Sequence, residues 1–253
     1  MEVLATRLSW RRLSWSVELF SIGVGYAVYS MIRIMAPHRV LVSYDHAYQV
    51  AGLEQAVGIY HELGINAFLS KHTDLGIVSA YYYASLHFIV TPLLLVWLWK
   101  RRTWAYAPLR SALVIATALA LVVYATWPLA PPRFALPGTV DTVFAHPVVW
   151  ASGGVEGFIN DLAAMPSLHV GWAVWCAVAV GTTVRSRWRY LAWLYPVVTT
   201  LVVVATANHY LLDAVGGAVV VAVPIYLCGL RLTPVPQSIH PAEAVLAEAA
   251  IAA

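Results

Sequence analysis

The sequence predicts an all-α polytopic membrane protein, a six-transmembrane-helix bundle with an amphipathic interfacial helix before the second span. Three observations predict it. Of 253 residues, 61% are hydrophobic and 11% charged, against roughly 25% charged in a soluble domain. The apolar residues fall in six runs, each long enough for a hydrocarbon core of about 30 Å. The basic residues gather near the ends of those runs, a pattern that reports topology and not a nucleic-acid partner.

In chain order, residues 1–15 set Arg7, Arg11 and Arg12 among Trp10, Leu13 and Trp15, an interfacial N-terminus on the positive side of the membrane. The expected spans are 16–36, 76–98, 108–128, 167–184, 190–207 and 209–230, so the membrane domain covers 16–231. Residues 37–75, between the first two spans, form an outer interfacial segment. Within it Leu53, Val57, Tyr60 and Leu63 recur at helical spacing, which predicts an amphipathic helix over 51–69 lying on the membrane. His61 with Glu62, and His72 with Asp74, read as surface groups. A long polar loop, 129–165, opens with Pro131-Pro132-Arg133, and residues 232–253 read as a flexible cytoplasmic tail. Cys176 and Cys228 lie in apolar runs without metal-ligand spacing and read as buried free thiols.

With the N-terminus inside, six spans place eleven of the 15 basic residues inside and leave Arg33, Arg39, Lys71 and Arg133 outside. The positive-inside rule then puts both termini in the cytoplasm. The same topology brings Arg133, His169, His209 and Asp213 to the outer face. Arg-rich, Lys-poor usage suggests a bacterial plasma membrane.

Two short stretches carry the chemistry: Met165-Pro166-Ser167-Leu168-His169, and Asn208-His209-Tyr210-Leu211-Leu212-Asp213. His209 and Asp213 are four residues apart, so on a helix they share one face. The carboxylate can then accept the Nδ1 proton of His209 and leave Nε2 free to attack. Pro166 suits a first helical position, and a helix start with free N–H groups attracts phosphate. Arg133 has a forked guanidinium suited to bidentate phosphate contact. Its plain alternative is an Arg facing lipid headgroups. Two histidines, one with a carboxylate partner, beside an anion-binding helix start point to phosphoryl transfer through a histidine nucleophile. His87, without a sequence-local acid, reads as a hydrogen-bonded packing histidine.

These two stretches resemble the second and third motifs of the type-2 phosphatidic acid phosphatase superfamily. The finer pattern Ala164 to His169, with Pro131-Pro132-Arg133 upstream and Asp141-Thr142 after it, is similar to the inositol phosphorylceramide synthase-like (inositolphosphotransferase) branch. The stretches Glu54 to Glu62 and Tyr81 to His87 also look like that branch, and the resemblance covers about residues 50–230. It implies a metal-independent enzyme without a cofactor. His209 would attack a lipid phosphorus, His169 would protonate the leaving oxygen, and Asp213 would orient His209. Arg133, Ser167, the Leu168 backbone and Asn208 would hold the phosphate. The donor would be a lipid phosphate or phospholipid, the acceptor water or an alcohol.

The chain also departs from the superfamily pattern. No Lys stands six residues before an Arg-Pro pair, Val203 takes the place of an Arg six residues before His209, and Leu168 replaces a Gly. Fewer fixed cations favour a singly charged phosphodiester over a doubly charged monoester. Two rival readings are a non-catalytic lipid-binding or transport protein, and a metal-dependent hydrolase using His169, His209 and Asp213.

Overall fold

The computed structural model describes residues 39–145 and 162–228, with residues 20, 23, 24, 27, 30 and 31 of the first expected span, which are helical. The segment 1–15, the rest of 16–36, residues 146–161 of the long loop and the tail from 232 lie outside the described residues.

The described part is built of helices: α1 (Val40–Ala56), α2 (Glu62–Ser70), α3 (Thr73–Arg101), α4 (Thr103–Thr126), α5 (Pro132–Ala135), α6 (Thr142–Ala145), α7 (Leu168–Thr183), a 3₁₀ helix (Arg187–Trp193), α8 (Leu194–Ala205) and α9 (Leu211–Leu227). Among the described residues, three segments are long and apolar enough to cross a membrane: α3, α4, and the 3₁₀ helix continued by α8, Arg187–Ala205. α3 has Asp74 in its first turn and Lys100 and Arg101 in its last, charges that complement the helix dipole. α7 and α9 are apolar but only 16 and 17 residues long, about 24–26 Å at 1.5 Å per residue. They begin later than the runs 167–184 and 209–230 because the first residues of each run are spent on other geometry. Ser167 is an N-cap, and Asn208, His209 and Tyr210 approach α9 without helical structure.

α7 is the central helix, packed against α3, α4, α8 and α9. Trp175, fully buried, donates its indole N–H to the Leu109 carbonyl of α4 at 2.8 Å. The closest crossing is α7 on α9. A Cβ on Gly217 would lie 2.2 Å from the Ser167 carbonyl oxygen, and one on Gly171 would lie 3.0 Å from the Gly217 oxygen. Small residues at the crossing let two helices meet without a hydrophobic force between them. Large apolar side chains point outward instead: Phe88, Ile89 and Leu93 on α3, Val197 and Leu201 on α8, Val215 and Val219 on α9. Hydrocarbon is the solvent that accepts such faces.

α1 docks on the end of α4. Arg39 donates to the Ala125 carbonyl and, at 3.0 Å, to that of Thr126, capping orphan carbonyls. His46 stacks on Trp127 at 4.5 Å and bonds the Pro128 carbonyl through Nδ1 at 2.8 Å.

The single amphipathic helix expected over 51–69 is corrected to two helices, parted at Val57–His61 where Gly58 has φ +77°. Its buried face is also not purely the apolar one. Leu53 and Val57 are exposed and Tyr60 and Leu63 half-buried, whereas Glu54 and Glu62 are wholly buried beside Ala51 and Leu69. Glu62 is therefore not the surface group that its neighbour His61 suggested. Both carboxylates are drawn inward by backbone N–H groups, described below, and a buried amide without an acceptor costs more than a few exposed aliphatic side chains.

Candidate functional site

One end of the bundle brings three stretches of chain together. After α4, Leu129 forms a parallel bridge with Ala163: the Leu129 N–H donates to Leu162 O at 2.9 Å and the Ala164 N–H to Leu129 O at 3.2 Å. Tyr124 of α4 donates its hydroxyl to the Pro166 carbonyl at 2.6 Å. These bonds fix the backbone from Ala164 to Ser167, which leads into α7 through a cis Met165–Pro166 peptide. The N-cap is Ser167, whose oxygen accepts from the Val170 N–H at 3.5 Å. Pro166 therefore stands before the cap and not at the first helical position. The Leu168 and His169 amides fall in the first turn, without intrahelical acceptors.

The third stretch is Ala207 to Tyr210. Ala207 has φ +55°, a left-handed conformation that costs a residue with a Cβ about 1–2 kcal/mol. Such strain gathers where a site demands it. The turn lets the Ala207 carbonyl accept from the Arg133 N–H at 2.9 Å and points the His209 ring inward, 4% exposed. His209 precedes α9, so the shared helical face expected for His209 and Asp213 is corrected. Asp213 is instead the third residue of α9, in a capping box with Tyr210, and its Oδ2 accepts from the Tyr210 N–H at 2.8 Å.

His209 Nδ1 lies 2.7 Å from the Ala164 carbonyl oxygen and 3.4 Å from Asp213 Oδ2. A carbonyl only accepts, so Nδ1 carries the proton and Nε2 presents a lone pair. The nearer partner is the backbone carbonyl, with the carboxylate behind it. The Ser167 N–H donates to the Asp213 carbonyl at 2.9 Å, joining the two motifs directly. The His169 and His209 rings are 5.6 Å apart between centroids, near enough for both to reach one phosphate. His169 stacks on Tyr83 at 4.4 Å and meets His87 edge-on at 4.3 Å. His87 packs against His169 and also lies beside the rings of Phe88, at 3.9 Å, and Trp172, at 6.1 Å.

Of the sequence-predicted residues, His169, His209, Asp213, Ser167 and Leu168 come together here. Arg133 sits on α5 beside the Ala207 turn, its side chain 6% exposed, and Nε pairs with Asp141 Oδ2 at 3.2 Å. Its guanidinium also lies over the Phe134 ring, 4.5 Å from the centroid. Asn208 is buried, and its amide nitrogen is taken by Thr206 through O at 3.2 Å and Oγ1 at 2.9 Å. That nitrogen is turned to its own chain. Among the described residues no group of three or more His, Cys, Asp or Glu side chains is arranged to hold a metal ion.

Sequence reasoning missed Glu54, Glu62 and Asn66. Glu62 Oε1 accepts from the Leu211 N–H at 3.1 Å and Glu54 Oε1 from the Leu212 N–H at 2.7 Å. Asn66, fully buried, donates to the carbonyls of Val140 and Ala205 at 2.9 and 2.8 Å and accepts from the Val140 N–H at 2.8 Å. It ties the Arg133–Asp141 segment to the end of α8. The one signal that could have exposed these three was the presence of polar residues on a helix otherwise suited to a membrane surface.

Neither a curated protein nor a solved structure gave a match to this chain. One family model does match, over residues 48–227, and its description is the PAP2 superfamily. That range contains both histidine motifs, Arg133 and the Glu54–Asn66 segment, and spans more than half of the sequence. The chain belongs to the type-2 phosphatidic acid phosphatase (PAP2) superfamily, whose members are phosphatases or phosphotransferases.

Proposed function

We propose that this protein is a membrane enzyme that moves a phosphoryl or phospho-headgroup from a lipid donor to water or an alcohol through a phosphohistidine on His209. The observation that carries the reading is the placement of His209 Nδ1 against the Ala164 carbonyl at 2.7 Å with Asp213 at 3.4 Å. It prepares Nε2 as the nucleophile. Nε2 forms a bond to phosphorus as the bond from phosphorus to the leaving oxygen breaks, and His169 gives that oxygen its proton. The imidazolium that develops on His209 is stabilised by Asp213. Neutral His169 then takes a proton from water or an alcohol, whose oxygen attacks phosphorus and expels Nε2. Arg133 and the first-turn amides of α7 hold the equatorial oxygens, where charge accumulates.

A phosphodiester donor fits this site better than a monoester. Asp141, 3.2 Å from Arg133 Nε, offsets part of the charge of the Arg that would hold the phosphate, and the superfamily's additional Lys and Arg are absent from the motif positions. This favours a headgroup transferase of the inositolphosphotransferase kind over a lipid phosphate phosphatase. The same reading keeps six spans over 16–231, both termini in the cytoplasm, the site at the outer face of a plasma membrane, and 232–253 as a tail.

The test is turnover of lipid donors by detergent-purified protein. A transferase releases labelled diester product only when an alcohol acceptor is present, whereas a phosphatase frees inorganic phosphate without one. Vanadate, which mimics five-coordinate phosphorus, should inhibit, and a chelator should not. Inactivation by the chelator with restoration by added metal would reject the covalent route.

A further inference from the structure

We propose that Glu54 and Glu62 form a proton-sharing carboxyl pair that clamps the start of α9 and thereby positions His209 and Asp213. The inference rests on the phosphotransfer reading above. Three successive amides open α9, and each is capped by a different carboxyl. Tyr210 N–H goes to Asp213 at 2.8 Å, Leu211 N–H to Glu62 at 3.1 Å and Leu212 N–H to Glu54 at 2.7 Å. The two Glu residues come from separate helices, α1 and α2, and both are fully buried. The second oxygen, Oε2, of each is buried with no hydrogen-bond donor facing it, and the two carboxyls are close enough for one shared proton to bridge them.

Two carboxylates cannot share such a place while both are charged, since burial and mutual repulsion each disfavour the second ionisation. One proton held between them removes the repulsion and supplies the donor that the two facing oxygens lack. The titratable groups facing Glu54 are Glu62 from α2, Tyr60 from the turn between α1 and α2, and Tyr210 and Asp213 from the start of α9. Burial, the hydrogen bond to Glu62 and the charges of Glu62 and Asp213 push the Glu54 carboxyl up to about 8. Burial and the two glutamates also raise the Tyr60 hydroxyl. Loss of the shared proton places a second negative charge beside Asp213 and opposes closure of the clamp.

The Glu54 carboxyl titrates near 4.5 in the unfolded chain and, pushed up by burial, near 8 in the fold, so the folded state binds the extra proton between these values. Stability therefore falls as pH rises from about 4.5, and the loss is complete once pH passes about 8.

The test compares the full-length protein in detergent with Glu62→Gln, Glu54→Gln and the Glu54→Ala/Glu62→Ala double variant. Two readouts are used: kcat and KM between pH 6 and 10, and melting temperature between pH 5 and 9. A Gln keeps a carbonyl for the α9 amide and donates its NH₂ to the remaining carboxylate, so it mimics the protonated pair permanently. The Gln variants should keep kcat within about threefold at pH 7 and move the alkaline limb upward by a pH unit or more. The double Ala variant should lose more than tenfold in kcat with little change in KM. The wild-type melting temperature should fall between pH 5 and 8.5, and the Gln variants should flatten that fall. An alkaline limb unmoved by both Gln substitutions, or a double Ala variant with wild-type kcat, overturns the proposal. If the wild type turns over no lipid donor, the phosphotransfer reading fails, while the melting profiles still decide the pair. A wild-type melting temperature that does not change between pH 5 and 8.5 rejects it, even where a variant does not fold.

Discussion

Gly217→Ala should disable the site without touching a catalytic side chain. Its new Cβ would lie 2.2 Å from the Ser167 carbonyl oxygen, 3.1 Å from the Ser167 carbonyl carbon and 3.2 Å from the Gly171 nitrogen. All three are backbone atoms, so no rotamer relieves the contact. α9 and the start of α7 must part by about 1 Å before the carbon and oxygen reach ordinary contact distance. That crossing also carries the Ser167 N–H bond to the Asp213 carbonyl at 2.9 Å, which the separation would stretch. A displacement of about 1 Å between reacting groups can cost on the order of 10²-fold in rate, about 2.7 kcal/mol of transition-state stabilisation. Overpacking of this kind costs about 1–3 kcal/mol of stability. Gly216→Ala is the matched control, because the atoms nearest its Cβ would be side-chain atoms of Met165 and Pro166, at 3.4 Å and beyond. The assay is initial-rate lipid turnover in detergent, with melting temperature measured alongside. Gly217→Ala activity within threefold of wild type would refute the reasoning. A loss in Gly216→Ala as large as in Gly217→Ala would do the same, since it would trace the effect to α9 generally and not to the crossing.

Asn66→Ala removes three hydrogen bonds and strands the Val140 N–H. It should cost roughly 2–4 kcal/mol, read as a lower midpoint in denaturant, and loosen the Arg133–Asp141 segment enough to raise KM. Arg133→Ala should reduce kcat about 10²–10³-fold, the usual cost of removing one donor to developing charge, and Arg133→Lys should restore only part of it because the fork is lost. Asp141→Asn should release Arg133 from its partner and shift the ratio of kcat/KM for phosphatidic acid over a phosphodiester lipid upward by about tenfold, worth about 1.4 kcal/mol of charge interaction. An unchanged ratio would remove the electrostatic argument for a diester donor.

Much of this was legible in the sequence because its signals are local. Pro166-Ser167 beside an apolar run announced the start of α7, and the small separation of His209 and Asp213 announced that they would meet. The way they meet was not legible. Asp213 caps the Tyr210 amide and shares Nδ1 with the Ala164 carbonyl, and Ala164 is brought there by pairing across the chain with Leu129. Nothing local marks Glu54 and Glu62 as buried, and Glu62 reads as a surface group beside His61, because apolar spacing is the main signal α1 and α2 carry. Their acceptor duty lies with amides 158 and 149 residues away, a distance over which no periodicity speaks. Asn66 is a similar case, bonded to residues 74 and 139 positions away. The shortening of α7 and α9 relative to their apolar runs has the same origin. The hydropathy of Asn208-His209-Tyr210 does not reveal that Ala207 turns left-handed and delays the helix.

The most direct test of the account is to find the phosphorus on His209. The protein is incubated with a phosphodiester lipid labelled at phosphorus, quenched in alkali, digested and analysed by mass spectrometry, beside His209→Ala and Asp213→Asn. The account predicts alkali-stable, acid-labile label on the peptide carrying His209, none in His209→Ala, and less in Asp213→Asn. Label on His169, or turnover in the wild type that persists undiminished in His209→Ala, would contradict it.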